Sequence, residues 1–172
     1  FALQHPKRTR RLTLIATTPG MLMVPGNPAA FTKMADPRRY VDPAFMAKHF
    51  KTLYGGMVES AGEDHKASHI SRLKPPSPRG YIYQLMCMLG WTSLPALPFM
   101  HKETLIMMGD EDQIVPLING KILAAMIPNS RMITFEGGGH LFLLTHADES
   151  VAAIREFLDA PDTEREAKRA AA

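Results

Sequence analysis

The chain has 172 residues, of which 45% are hydrophobic and 22% are charged, values typical of one globular domain with a sizeable core. Its single cysteine, Cys87, excludes an internal disulfide and favours a cytoplasmic setting, and no apolar run approaches the roughly 18 residues of a membrane-spanning helix. The net charge of +3 comes from separate basic clusters without interleaved aromatic residues, so no nucleic-acid partner is predicted.

The first predicted strand lies near the beginning of the chain. Residues 11–18 are rich in β-branched side chains and are followed by Pro19 and Gly20, a pattern that predicts a strand ended by a turn. Residues 1–5 are predicted to be the end of a helix that stops at Pro6. Because a helix leading into a buried strand is half of an α/β repeat, residues 1–26 are assigned to a core.

A proline-rich stretch follows, and its methionines and aromatic residues do not alternate as they would in a strand. We interpret residues 27–98 as a helical insertion, with helices at 43–54 and 80–91 and a stiff connector at 75–78. The charged run from Glu63 to Lys66 is interpreted as a polar loop.

Residues 99–159 again have the apolar pattern of a core and are assigned to it. Apolar runs at 104–108 and 131–135 predict buried strands, and residues 116–127 predict the helix between them. A final amphipathic helix carries Phe157, and Thr145 with Asp148 resembles a capping box at its start. The order strand, helix, strand, helix predicts a parallel sheet. Residues 160–172 are predicted to be a disordered tail.

Two polar motifs follow the two core strands. Gly-Asp-Glu-Asp-Gln-Ile-Val-Pro begins at Gly109, and Gly-Gly-Gly-His ends at His140. The carboxyl ends of parallel strands share one edge of the sheet, where an α/β-hydrolase keeps its acid and its histidine, in that chain order. A buried Asp112 would orient the His140 ring and stabilise its charged form, which predicts Asp112 and His140 as catalytic residues.

Each of these residues also has an ordinary structural interpretation. An aspartate after a strand is often a turn former or a helix cap, and Asp110 and Glu111 compete with Asp112 for the catalytic position. A histidine after glycines is often a loop residue. The joint occurrence at consecutive strand ends favours the functional interpretation.

A nucleophile with suitable surroundings is missing from the sequence. The hydrolase nucleophile occupies a Gly-x-Ser-x-Gly turn, and neither Cys87 nor any serine has glycines at both flanking positions; the serines are at positions 60, 68, 71, 77, 93, 130 and 150. We therefore expect the serine nucleophile and the oxyanion hole to lie upstream of Phe1, in a longer chain.

No metal and no cofactor is predicted. His65 and His69 are four residues apart, but no glutamate lies between them as in a zincin, so a metal site is the less favoured interpretation. The 12 methionines either fill gaps in a core or form an adaptable apolar surface for an acyl chain.

The segments Arg-Gly-Tyr-Ile-Tyr-Gln-Leu from Arg79 and Gly-Trp-Thr-Ser-Leu-Pro from Gly90, together with the motifs around Asp112 and His140, carry a family resemblance. The chain resembles the carboxyl-terminal part of intracellular poly(3-hydroxyalkanoate) depolymerases that act on medium-chain-length polymer. The resemblance implies an α/β-hydrolase fold, a helical lid at about residues 27–98, and Asp112 and His140 as triad members whose serine is missing here.

The expected function is therefore that of a serine esterase acting on storage polyester at cytoplasmic granules. The expected partners are a polyester or acyl ester substrate and the granule surface, with no transmembrane segment, and the 172 residues alone are expected to be inactive. Two alternatives remain. One is another enzyme of the same fold, such as a lactonase, a haloalkane dehalogenase or a carbon-carbon bond hydrolase; the other is a non-catalytic granule-binding fragment.

Overall fold

The computed structural model describes residues 1–57, 62–72 and 74–161. In chain order the regular elements are β1 Arg11–Ile15, α1 Pro28–Ala35, α2 Arg38–Val41, α3 Pro43–Tyr54, α4 Gly62–Arg72, α5 Pro78–Met88, β2 Glu103–Gly109, α6 Leu117–Met126, β3 Ser130–Phe135, α7 Phe142–Thr145 and α8 Ala147–Asp159. Short 3-10 helices occupy Pro6–Arg8 and Leu94–Phe99. Of the helices in these residues, none has the length and apolarity needed to cross a lipid bilayer.

The three strands form a parallel sheet in the order β1-β2-β3, which confirms the predicted strand direction. Strand β2 is central and is buried from Thr104 to Gly109. Alternate residues of β2 serve opposite faces, as a strand requires. Ile106 pairs in register with Leu14 and Met132 and packs on the α6 side, while Leu105 packs against the aromatic residues of the other face.

In its described residues, the stretch 27–98 contains helices α1 to α5 and no strand. Its own apolar cluster is built on α3, which packs against α1, α2 and α4. The buried members of this cluster are Met46, Phe50, Leu53 and Tyr54. Asp42 begins α3 by accepting from the backbone N–H groups of Ala44 and Phe45, and Gly55 ends it at a φ of 67°. The predicted bounds of this helix, 43–54, are confirmed.

Several local predictions differ from the structure. The run from Glu63 to Lys66 is part of α4 and not a loop. Residues 1–5 form a turn closed by a hydrogen bond from His5 N to Phe1 O, without an assigned helix. The capping box is wrong, because Thr145 lies inside α7 and its hydroxyl bonds to Phe142 O and His146 instead.

The two residues that follow α8 are tied to the start of the sheet. The carbonyls of Ala160 and Pro161, which fall in the predicted tail, accept hydrogen bonds from Arg11 at 2.8 and 2.6 Å. The rest of the predicted tail, residues 162–172, lies outside the described residues.

Candidate active site

The structure brings Asp112 and His140 together. His140 Nδ1 lies 2.8 Å from Asp112 Oδ2, and the side chains are 26% and 0% exposed, respectively. A fully buried carboxylate paired with a half-buried imidazole fixes Nδ1 as the protonated ring nitrogen and leaves Nε2 as an acceptor. Within the described residues, no hydrogen bond occupies Nε2.

Asp112 is held by the loop that it belongs to. Its Oδ1 accepts from the backbone N–H groups of Ile114 and Val115, both at 2.8 Å, so that only Oδ2 is left for the histidine. These bonds form because β2 ends at Gly109 and the chain turns towards α6. We call residues 110–116 the acid loop and residues 136–141 the histidine loop. Glu111 N of the acid loop donates to Gly138 O of the histidine loop at 2.9 Å, which joins the two loops.

The glycines before His140 allow the two loops to touch. A Cβ at Gly109 would lie 2.1 Å from Gly138 O, and Gly137 has a φ of 67°, a conformation that L side chains rarely adopt. The histidine loop therefore lies directly against the end of β2, and this contact sets the distance between the two side chains of the pair.

The end of α3 supports both loops, and the sequence did not indicate this. Tyr54 O accepts from His140 N at 2.6 Å, and Met57 N donates to Gly137 O at 2.9 Å. A Cβ at Gly55 would lie 2.0 Å from Glu111 O, so the same short segment also touches the acid loop. We call residues 54–57 the α3 bracket. The only signal for it in the sequence was the Gly55-Gly56 pair after a helix.

A second support comes from the segment before α1. Asn119 on α6 is fully buried, and its amide accepts from Val24 N and donates to Val24 O, both at 2.8 Å. Asn27 N donates to Gln113 O at 2.8 Å, and the two side chains also hydrogen-bond. This segment is thereby hydrogen-bonded to the acid loop. A buried asparagine inside an apolar helix was the available signal for it.

The remaining sequence-based candidates lie elsewhere. Within the described residues, no serine hydroxyl bonds to His140; Ser60 lies outside them. The metal interpretation rests on the His65 side chain, which is outside the described side chains, whereas His69 Nε2 lies 3.4 Å from the Tyr54 hydroxyl. Burial raises the pKa of Tyr54 and lowers the pKa of His69. Both groups are therefore uncharged near neutral pH.

Comparison with known proteins shows which proteins this chain resembles. The chain matches the family model of the α/β hydrolase fold over residues 1–147. A poly(3-hydroxyalkanoate) depolymerase of Ectopseudomonas oleovorans is 40% identical over 92% of this chain and 55% of its own length. A 2-hydroxymuconate semialdehyde hydrolase of Pseudomonas putida is 29% identical over 94% of this chain and 58% of its own.

Among solved structures, a meta-cleavage product hydrolase of Pseudomonas fluorescens matches with a TM-score of 0.69 at 19% identity, over 92% of this chain and 58% of that one. The chain spans somewhat more than half the length of each of these relatives. The identity to the depolymerase confirms the resemblance seen in the sequence. With a family match over most of its length and a sheet of the expected parallel kind, the chain belongs to the α/β-hydrolase fold family.

Proposed function

We propose that this chain supplies the aspartate and the histidine of the catalytic triad of a serine esterase that hydrolyses medium-chain-length poly(3-hydroxyalkanoate). The observation that carries the proposal is the 2.8 Å contact between His140 Nδ1 and the buried Asp112 carboxylate, at the carboxyl edge of a parallel sheet. The 40% identity to a poly(3-hydroxyalkanoate) depolymerase supports the substrate class.

In the proposed reaction the nucleophile is a serine outside these 172 residues. His140 Nε2 takes the proton of the serine hydroxyl as its oxygen attacks the ester carbonyl, and Asp112 stabilises the imidazolium. His140 then gives the proton to the departing alkoxide, which leaves an acyl-enzyme. A water molecule, deprotonated by His140, attacks the acyl-enzyme, and the returning proton restores the serine.

The exposed residues of the insertion support the proposal that the substrate is apolar. The exposed apolar side chains of the insertion include Ile82, Tyr83, Met86, Leu89 and Trp91, on α5 and just after it. Large exposed apolar patches mark binding sites more often than chance, and methionine adapts to irregular acyl chains. We propose that the insertion is a lid over the acyl site and that it touches the storage granule in the cytoplasm.

The role of the pair is tested in the natural gene product that carries these residues. His140→Ala and Asp112→Asn are expected to lower kcat on a medium-chain p-nitrophenyl ester by about 10³-fold or more, since the asparagine amide would face Nδ1 with a donor and force the wrong tautomer. His101→Ala, an exposed histidine outside the pair, is the matched control. Near-normal turnover by either pair variant would rule out the mechanism.

The granule contact is tested by sedimentation with medium-chain polyester granules. Ile82→Lys combined with Met86→Lys places charges on one face of α5 and is expected to reduce pelleting about tenfold or more, because the charges oppose burial in polyester. Gln84→Lys, an exposed polar position on the same helix, is the control for added charge. Equal pelleting of the two proteins would refute the granule contact.

Two further outcomes separate this function from its rivals. Cleavage of a carbon-carbon bond substrate without ester turnover would favour the chemistry named for the 29% identical Pseudomonas putida relative. Granule pelleting without any turnover by the natural gene product would favour a binding role. The 172 residues alone are expected to show no ester turnover, and turnover by them would contradict the external nucleophile.

A further inference from the structure

Tyr54 contacts His140 in two independent ways. Its carbonyl accepts the backbone N–H of His140 at 2.6 Å, and its ring lies nearly parallel to the imidazole, with an interplanar angle of 10° and centroids 6.5 Å apart. Aromatic rings interact at such separations. The last residue of α3 thus restrains both the backbone and the ring plane of the proposed base.

Tyr54 is itself restrained by the rings of Phe50 and His69. It is 8% exposed, and Phe50 packs edge-on against its ring with centroids 4.9 Å apart. The Tyr54 hydroxyl lies 3.4 Å from Nε2 of His69 on α4, whose ring also packs edge-on against Phe50 and Tyr54. Since burial keeps the pKa of His69 low and that of Tyr54 high, this contact joins a phenol to a neutral imidazole.

The histidine loop is packed directly against the backbone of Tyr54 and its neighbours. A Cβ at Gly139 would lie 2.2 Å from Tyr54 O, and one at Gly56 would lie 2.2 Å from Gly139 N. The α3 bracket and the histidine loop are therefore in direct backbone contact. A shift of the Tyr54 backbone would disturb the backbone at Gly139 and the hydrogen bond to His140 N.

We propose that Tyr54 is a positioning residue for His140, and that His69 sets the orientation of Tyr54 through its hydroxyl. The insertion then also influences the base, through the contacts from His69 on α4 to Tyr54 and from Tyr54 to His140, in addition to covering the substrate. This inference rests on the proposed function for its effect on turnover, but the orientation of His140 can be measured without turnover.

The main test replaces the Tyr54 ring in the natural gene product. Tyr54→Leu is expected to lower kcat about tenfold with KM changed less than about twofold, because a misplaced base slows the chemical step and leaves substrate binding intact. Phe45→Leu is the matched control, since Phe45 is also an aromatic residue of α3 that is 8% exposed and packs against His49 instead. Equal kcat values for the two variants would overturn the proposal.

A milder pair of variants covers the case in which Tyr54→Leu does not fold. Tyr54→Phe and His69→Leu each remove the contact between the Tyr54 hydroxyl and His69. Both variants keep an aromatic ring at position 54. Each is expected to lower kcat about threefold, and the double variant no further, because neighbours in one contact are not additive. Multiplying effects in the double variant would refute the role of His69.

The orientation itself is read by NMR of the proton between His140 Nδ1 and Asp112. Its signal is expected to persist in Phe45→Leu and to shift upfield or disappear in Tyr54→Leu. An unchanged signal in Tyr54→Leu overturns the inference, whether or not the protein hydrolyses esters. Absence of ester turnover in the unaltered protein, with the signal shifted as expected, would refute the proposed function and leave the positioning role supported.

Discussion

At the scale of single residues, Asp112 has two roles at once. One oxygen closes its own loop through Ile114 N and Val115 N, and the other holds His140. The sequence left Asp110 and Glu111 as competitors, and the structure places both of them on the surface. Their side chains could not be ranked from sequence, because the ranking depends on which one turns inward as the loop closes.

Gly139 provides the residue-scale prediction. Gly139→Ala is expected to lower the free energy of unfolding by about 1–3 kcal/mol, since the new methyl group would overlap the Tyr54 and Gly55 carbonyls at 2.2 and 2.4 Å. Urea denaturation measures the change. Gly80→Ala in α5, where the methyl group would meet only the Ser77 hydroxyl at 3.0 Å, should cost far less. Equal costs would show that the histidine loop can relax away from α3.

At the scale of elements, the sequence predicted those strands and helices that have a regular apolar pattern and clear residues at their ends. Strands β2 and β3 and helix α3 have clear apolar patterns and capping residues, and their bounds differ from the prediction by at most one residue. Helix α4 was missed because its start is charged and glycine-initiated, and it is held by packing against α3. The α3 bracket was missed for a related reason. Its role is a contact across distant parts of the chain, which no local pattern encodes.

His69 provides the element-scale prediction. Burial lowers its pKa below the usual 6.5, so below pH 6.5 the unfolded chain binds more protons at this position than the folded chain. The stabilising effect of neutral His69 is thus complete above pH 6.5 and is lost as the pH falls through the lowered folded-state pKa. Urea denaturation at pH 8, 7, 6 and 5 should show that the free energy of unfolding falls more steeply with decreasing pH for the unaltered protein than for His69→Gln. Parallel pH curves would contradict this.

At the scale of the whole molecule, the sheet separates two apolar clusters, and a third is built on α3. Leu123 of α6 belongs to the first cluster and Phe157 of α8 to the second. Arg11 joins the second layer to the sheet. Its side chain is 2% exposed, pairs with Glu103 at 2.6 Å and donates to carbonyls at the end of α8. Such long-range closure was outside what the sequence could predict.

Arg11 provides the prediction for the whole molecule. Arg11→Met is expected to lower the free energy of unfolding by about 1–2 kcal/mol, because it removes the ion pair and the hydrogen bonds of a guanidinium whose side chain is only 2% exposed. Arg131→Met is the matched control: Arg131 also lies over the Phe157 ring, but its side chain is 44% exposed and its ion pair should contribute less than about 1 kcal/mol. Calorimetric melting compares the two. A larger effect of Arg131→Met would contradict the assignment.

The direct contact of the α3 bracket with both loops has a consequence for protein engineering. An insertion between two core strands invites the construction of chimaeras, in which the cap of one hydrolase is transplanted onto another to change its substrate range. Here residues 54–57 belong structurally to the recipient, since they carry Tyr54 O, Gly55 and Gly56 against the acid and histidine loops. Splice points that separate these residues from the sheet would exchange part of the support of the Asp112–His140 pair together with the transplanted helices.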